Sequence, residues 1–137
     1  MILKIRQINV VFTILLLYYC FLYKKSLMKI KKHTEKIIKD LKKSLITEFG
    51  DNINSVILFG SQAQGKANEF SDYDFLIILK NQYDWKLKNK ISDICYEIDL
   101  KYDILTDIHV ISDYELNDTL RGCQTIFRNA LKNGIYA

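Results

Sequence analysis

The sequence contains no proline, an unusual absence that carries no functional signal. Cysteine is scarce. Cys20, Cys95 and Cys123 have no metal-ligand spacing, and their odd number argues against a closed disulfide framework. A reducing compartment is the simpler expectation. There are no repeats, no low-complexity tracts and no Gly/Ser-rich linker, so nothing in the composition divides the chain into several domains. Acidic residues are absent before Met28, where Lys4, Arg6, Lys24 and Lys25 lie. Those cations account for the whole formal net charge of +4. The remainder is formally neutral, which removes the reason to read the basic balance as a nucleic-acid footprint. No nucleic-acid partner is expected.

Hydrophobic residues make up 49% of the chain, ample for a core. One apolar stretch stands apart, residues 8–23, with basic residues on both flanks. Three readings compete for it. As a membrane span it is short and contains Asn9 and Thr13. As a signal peptide it lacks a small-x-small cleavage site before Lys24. The third reading places the true start at Met28, so that Met28-Lys29-Ile30-Lys31-Lys32 opens a cytoplasmic protein. The third is preferred and a weak membrane anchor is second. The expected organisation is therefore an apolar extension, 1–27, and one domain, 28–137.

Within that domain, Ile30, Ile37, Leu41 and Leu45 recur at helical spacing and predict an amphipathic helix over 29–49. Gly50-Asp51-Asn52 ends it by turn chemistry. Ser55–Phe59 reads as a first strand, and Asp74–Leu79 as a second. Asp84 is placed to cap a second helix over about 85–100, with Trp85, Lys88, Ile91, Ile94, Cys95 and Ile98 on its inner stripe and Lys88 at the edge. A third strand is expected over Tyr102–Ile111, then a capping box at Ser112 and Glu115. A last helix spans about 119–133, with Leu120, Cys123, Ile126, Phe127, Ala130 and Leu131 on its apolar face and Gly134 as its stop. The fold class is α/β (α+β): a small mixed β-sheet of three to four strands backed by helices.

The segment between the first two strands carries the chemistry. Leu58-Phe59-Gly60-Ser61-Gln62-Ala63-Gln64-Gly65 ends an apolar strand at a Gly-Ser turn, and Ser71-Asp72-Tyr73-Asp74 opens the next. Alternate strand residues share a face, so Asp72 and Asp74 can project together. Paired carboxylates repel unless a cation lies between them, and a hard divalent ion such as Mg²⁺ prefers oxygen ligands. Glycine lets the backbone approach a phosphate closely, and N–H groups with a hydroxyl can hold the anion. A tight hairpin whose aspartates only turn or cap is the bland alternative.

The pattern Gly60-Ser61, Gly65, Ser71-Asp72-x-Asp74 resembles the signature of the DNA polymerase beta-like nucleotidyltransferase superfamily. More narrowly, the chain resembles the minimal nucleotidyltransferases. The resemblance implies two Mg²⁺ ions, ATP or another NTP as substrate, and Gly60, Ser61, Gly65, Lys66 and Ser71 around the nucleotide. It also implies a third carboxylate near the start of the strand after the second helix. Asp103 and Asp107 are the candidates, with a slight lean to Asp103 because it opens the expected strand. His109 shares their face and is expected to be a polar neighbour rather than a ligand. Gln62 and Gln64 depart from the family, where basic residues often occupy the matching positions. The resemblance further implies transfer of NMP, AMP from ATP in the first instance, to a partner such as a HEPN-type toxin, with this chain as the antitoxin. The alternatives are a catalytically weak nucleotide- or partner-binding module, and a small-molecule (antibiotic-type) nucleotidyltransferase acting as an oligomer.

Overall fold

Period-two alternation along three strands decides how the sheet is covered. In β2 (Tyr73–Leu79), Tyr73, Phe75, Ile77 and Leu79 enter one buried cluster, while Leu76 and Ile78 enter another. In β1 (Ile53–Phe59), Val56 and Leu58 join the first cluster and Ile57 the second. Both faces of the sheet are therefore buried, which explains the near-continuous apolar strands. The computed structural model that shows this describes residues 2–68 and 70–137, with side chains described from Val10 onward.

The elements run in the order α1 (Ile2–Phe49), a 3₁₀ turn (Gly50–Asn52), β1, α2 (Gly60–Gln64), β2, α3 (Trp85–Tyr102), β3 (Thr106–Ser112), α4 (Asp113–Asp118), α5 (Thr125–Asn133) and β4 (Ile135–Tyr136). The sheet order is β3-β2-β1-β4. β1 pairs antiparallel with β2 and with β4, while β2 pairs parallel with β3 through the α3 crossover. This is the mixed four-stranded sheet that the pattern of elements implied. The chain divides into two compact units, Met1–Thr34 and Glu35–Ala137. In the second unit, Ile37, Ile38, Leu41 and Leu45 of α1 pack with Ile91, Cys95 and Ile98 of α3 on one sheet face. Phe127 and Ala130 of α5 cover part of the other.

The structure corrects several sequence-based expectations. Ile30 is exposed, so the buried stripe of α1 is carried by the later positions Ile37, Leu41 and Leu45. Trp85 is also exposed, because it lies at the first position of α3, before the helix meets the sheet. The third strand begins at Thr106 rather than Tyr102. Two α3 side chains account for the longer helix: Lys101 Nζ and the Tyr102 hydroxyl both donate to Asp40 of α1. The chain then turns through Asp103, a left-handed C-cap at φ 53°.

The last helix starts at Thr125, not near 119. Ser112 and Glu115 do form the expected capping box, but it opens the short α4. A turn follows in which Gly122 lies against the Leu116 carbonyl, so closely that an added Cβ would sit 1.8 Å from that oxygen. Leu120 and Cys123 are exposed on that turn instead of lying on a helix face.

β3 is an edge strand, and side chains cover its outer rim. Burial pushes the Asp99 carboxyl above its ordinary range, and Thr106 beside it pulls it partly back. The Val110 carbonyl accepts from the Tyr83 hydroxyl (2.8 Å) and from Arg121 (3.0 Å). Such cover prevents an edge from pairing with another chain.

Candidate functional site

The sheet places Asp74 in the middle of one end of its partly covered face. Asp74 is on β2, with Phe59 as its Cα partner on β1 and Asp107 as its partner on β3. Tyr73 is buried on the opposite face, so the alternation turns Asp72 and Asp74 away from it. The register of β2 is pinned there by the Tyr73 N–H, which donates to the Leu105 carbonyl at 2.8 Å. Asp74 is half-buried, whereas Asp72 and Asp107 are exposed. Burial, then the neighbouring Asp107 and Asp72 charges, push the Asp74 carboxyl above its ordinary range, and His109 pulls it partly back. Asp74 thus lies within electrostatic reach of both other carboxylates.

Asp103 is not among them. It is an exposed residue at the end of α3, outside β3, and the position facing Asp74 belongs to Asp107. Asp107 has a local partner, His109 Nε2 at 3.5 Å from its Oδ2. The His109 ring stands 5.7 Å from the ring of Phe59 and 6.5 Å, edge-on, from that of Phe127. His109 is therefore a polar neighbour held between aromatic rings.

Gly60 touches the site through its lack of a side chain. Its φ is +72°, and a Cβ built there would lie 2.0 Å from Asp74 Oδ2. Only glycine satisfies both the backbone angle and the carboxylate. Ser61 follows in α2, which starts at Gly60 itself. Gly65 ends α2 in a left-handed conformation with open space around it, and the Lys66 N–H closes the turn on the Ser61 carbonyl at 3.0 Å. Lys66 is exposed.

The return to β2 is held by Ser71, expected to orient the carboxylate turn, together with Gln62 and Asn68, whose contacts there were not expected. The Gln62 amide donates to the Ser71 carbonyl at 3.1 Å. The Asn68 N–H donates to Ser71 Oγ at 2.9 Å, and Ser71 Oγ donates to Asn68 Oδ1 at 3.1 Å. Asn68 Oδ1 also accepts from the Phe70 N–H. An Asn preceding a Ser-Asp step is a recognisable turn signal, which could have identified Asn68. Nothing local signals Gln62, since its partner is nine residues away. Ser71 thus orients the turn into Asp72.

The donor set is all oxygen, negatively charged and partly desolvated, which suits a hard divalent cation. Among the described residues no three His, Cys, Asp or Glu side chains gather closely enough to enclose one ion by themselves. An ion there would complete its shell with water and phosphate oxygens, as Mg²⁺ usually does.

Known proteins share sequence and fold with this chain. Residues 35–135 match the family described as "Polymerase beta, Nucleotidyltransferase". Two proteins of Methanocaldococcus jannaschii, each named "Putative protein adenylyltransferase", are similar to the chain. One is 48% identical over 69 residues, 50% of this chain and 70% of that protein. The other is 32% identical over 100 residues, 73% of this chain and 93% of that protein. The chain is also similar to a crystal structure of a toxin–antitoxin with AMP-PNP, at 16% identity, 70% and 68% coverage and a TM-score of 0.47. By its match over most of its length and its coverage of these relatives, this chain belongs to the polymerase beta nucleotidyltransferase family and is a nucleotidyltransferase.

Proposed function

We propose that the chain transfers AMP from ATP to a hydroxyl of a protein acceptor. The observation that carries this reading is the facing pair Asp74 and Asp107 on adjacent strands, with Asp72 two residues before Asp74 and Gly60 against its carboxylate. The names of the two archaeal relatives support a protein as the acceptor and adenylyl as the group transferred.

In this reading the acceptor oxygen bonds to the α-phosphorus of ATP. The bond from that phosphorus to the bridging oxygen breaks, pyrophosphate leaves, and the hydroxyl proton passes to solvent. Asp72, Asp74 and Asp107 would hold the divalent metal, which when bound neutralises phosphate charge and stabilises the attacking and leaving oxygens. Gly60 keeps Asp74 in position by leaving room for it. Ser61 and the N–H groups of the Gly60–Gly65 turn line the approach of the triphosphate, with Lys66 as the loop's cation. Gln62 is committed to the Ser71 carbonyl and serves the loop rather than the phosphates. Ser71 and Asn68 fix the direction in which Asp72 leaves the turn.

A HEPN-type toxin is the first acceptor to test, and the antitoxin role follows if modification silences it. The purified chain is incubated with α-labelled ATP, Mg²⁺ and the protein encoded beside it. Label on the partner, lost when Asp74 is replaced by Asn, is the expected result. Label confined to a small molecule would instead favour an antibiotic-type transferase. Tight complex formation without label would favour the binding module, the reading motivated by the neutral Gln62 and Gln64.

A further inference from the structure

The unit Met1–Thr34 carries a feature for which nucleotidyl transfer has no use. Every large apolar side chain from Val10 to Tyr23 is exposed, between 44 and 71%. Ile14 to Tyr19 are six consecutive apolar residues of this kind. At about 100° per residue they go right round the helix. A helix that is apolar on every side has no face for water. It does not suit the plane of a membrane surface, where a helix keeps one charged face. A protein groove would cover one stripe and leave the rest wet. Only lipid covers the whole circumference.

We infer that residues 7–23 cross a lipid bilayer once and tether the transferase domain to its cytosolic face. The uncharged stretch between Arg6 and Lys24 is roughly 26 Å long at ~1.5 Å per residue, at the short end of spanning helices. Over the helix from Val10 onward, an 18-residue window that takes in Lys24 and Lys25 still has a mean hydropathy of 1.5, with none of it buried in the protein. Lys24 and Lys25 extend the reach, because long cationic side chains direct their charges to the lipid–water boundary while their stems stay apolar. Tyr18, Tyr19 and Tyr23 gather toward the Lys24 end, where amphipathic rings favour the membrane interface. Lys24, Lys25, Lys29, Lys31 and Lys32 follow the span, against Lys4 and Arg6 before it. That bias puts the C-terminal side in the cytosol. The tether is independent of the transfer reaction, and it would confine the enzyme to acceptors at the membrane surface.

The test expresses the full chain in bacterial cells. Membranes are floated through a density gradient, washed at alkaline pH, and treated with protease on either face. The expected result is flotation, retention through the wash, release by detergent, and digestion of the domain only in inverted vesicles. A second chain carrying Leu15→Lys and Leu17→Glu should move to the soluble fraction with residues 35–137 still folded. Recovery in solution as a monomer or oligomer, a pellet that does not float, cleavage after Tyr23, or a mature protein beginning at Met28 would each overturn the inference.

Discussion

Gly60→Ala separates the two demands made on that position, and Gly65→Ala is its control. Both glycines adopt left-handed backbone angles, φ +72° and +68°. An alanine in that region costs about 1–2 kcal/mol. Both variants should therefore lose stability to a similar degree, seen as a melting point lower by several degrees. They differ in what the methyl group meets. At Gly65 there is nothing within 4 Å. At Gly60 the new Cβ would stand 2.0 Å from Asp74 Oδ2 and 2.9 Å from its Cγ. Ordinary contact begins at about 3.4 Å, so the carboxylate or the turn must move by an ångström or more. A displacement of about 1 Å in a reacting constellation can lower turnover by about 100-fold. Transfer of label from α-labelled ATP, measured at a temperature where both variants are folded, should fall by that order for Gly60→Ala. For Gly65→Ala it should change by no more than a few-fold. Equal turnover in the two variants would refute the argument that Gly60 is glycine for the sake of Asp74.

Asp74→Asn should abolish transfer yet raise the melting point of the metal-free protein, because the native state holds this carboxyl above its usual range and its charge opposes folding at neutral pH; a lower melting point without metal would contradict this. Stabilisation by added Mg²⁺ should be smaller in the same variant, which thermal scans with and without the ion would report. Asp107→Asn should reduce turnover far more than Asp103→Asn, and Asp103→Gly should stabilise the fold by about 0.5–1 kcal/mol at its left-handed C-cap, as denaturant titration would register. Burial draws Glu115 upward, but hydrogen bonds from Ser112 and the Arg121 charge outweigh it and hold its carboxyl below the ordinary value. Its contribution to stability is thus complete above the unfolded-state value and lost as pH falls through the lowered native one; Glu115→Gln should flatten that part of the acid unfolding curve. Arg121→Ala should cost about 1–3 kcal/mol, since Val110, Glu115 and Tyr83 each lose a partner.

The sequence by itself determined the parts whose causes are local. Alternation from Tyr73 to Leu79 set a strand and the shared face of Asp72 and Asp74, because side-chain direction in a strand depends only on parity. The capping box at Ser112 and Glu115, the N-cap at Asp84 and the glycine turn after Phe59 were legible because each is completed within a few residues. Which of Asp103 and Asp107 faces Asp74 was not. Asp103 and Asp107 have the same parity, so periodicity could not separate them. The choice fell to a contact 61 residues distant in sequence, Lys101 on Asp40, reinforced by Tyr102, which holds α3 helical up to the Asp103 cap. Parallel pairing then set Asp107 opposite Asp74. The contact of Gln62 and the rim of β3 closed by Tyr83 and Arg121 were likewise decided only in three dimensions. A hydrogen-bond partner or a covered face is a property of what the rest of the chain brings near, and sequence neighbours carry no record of it.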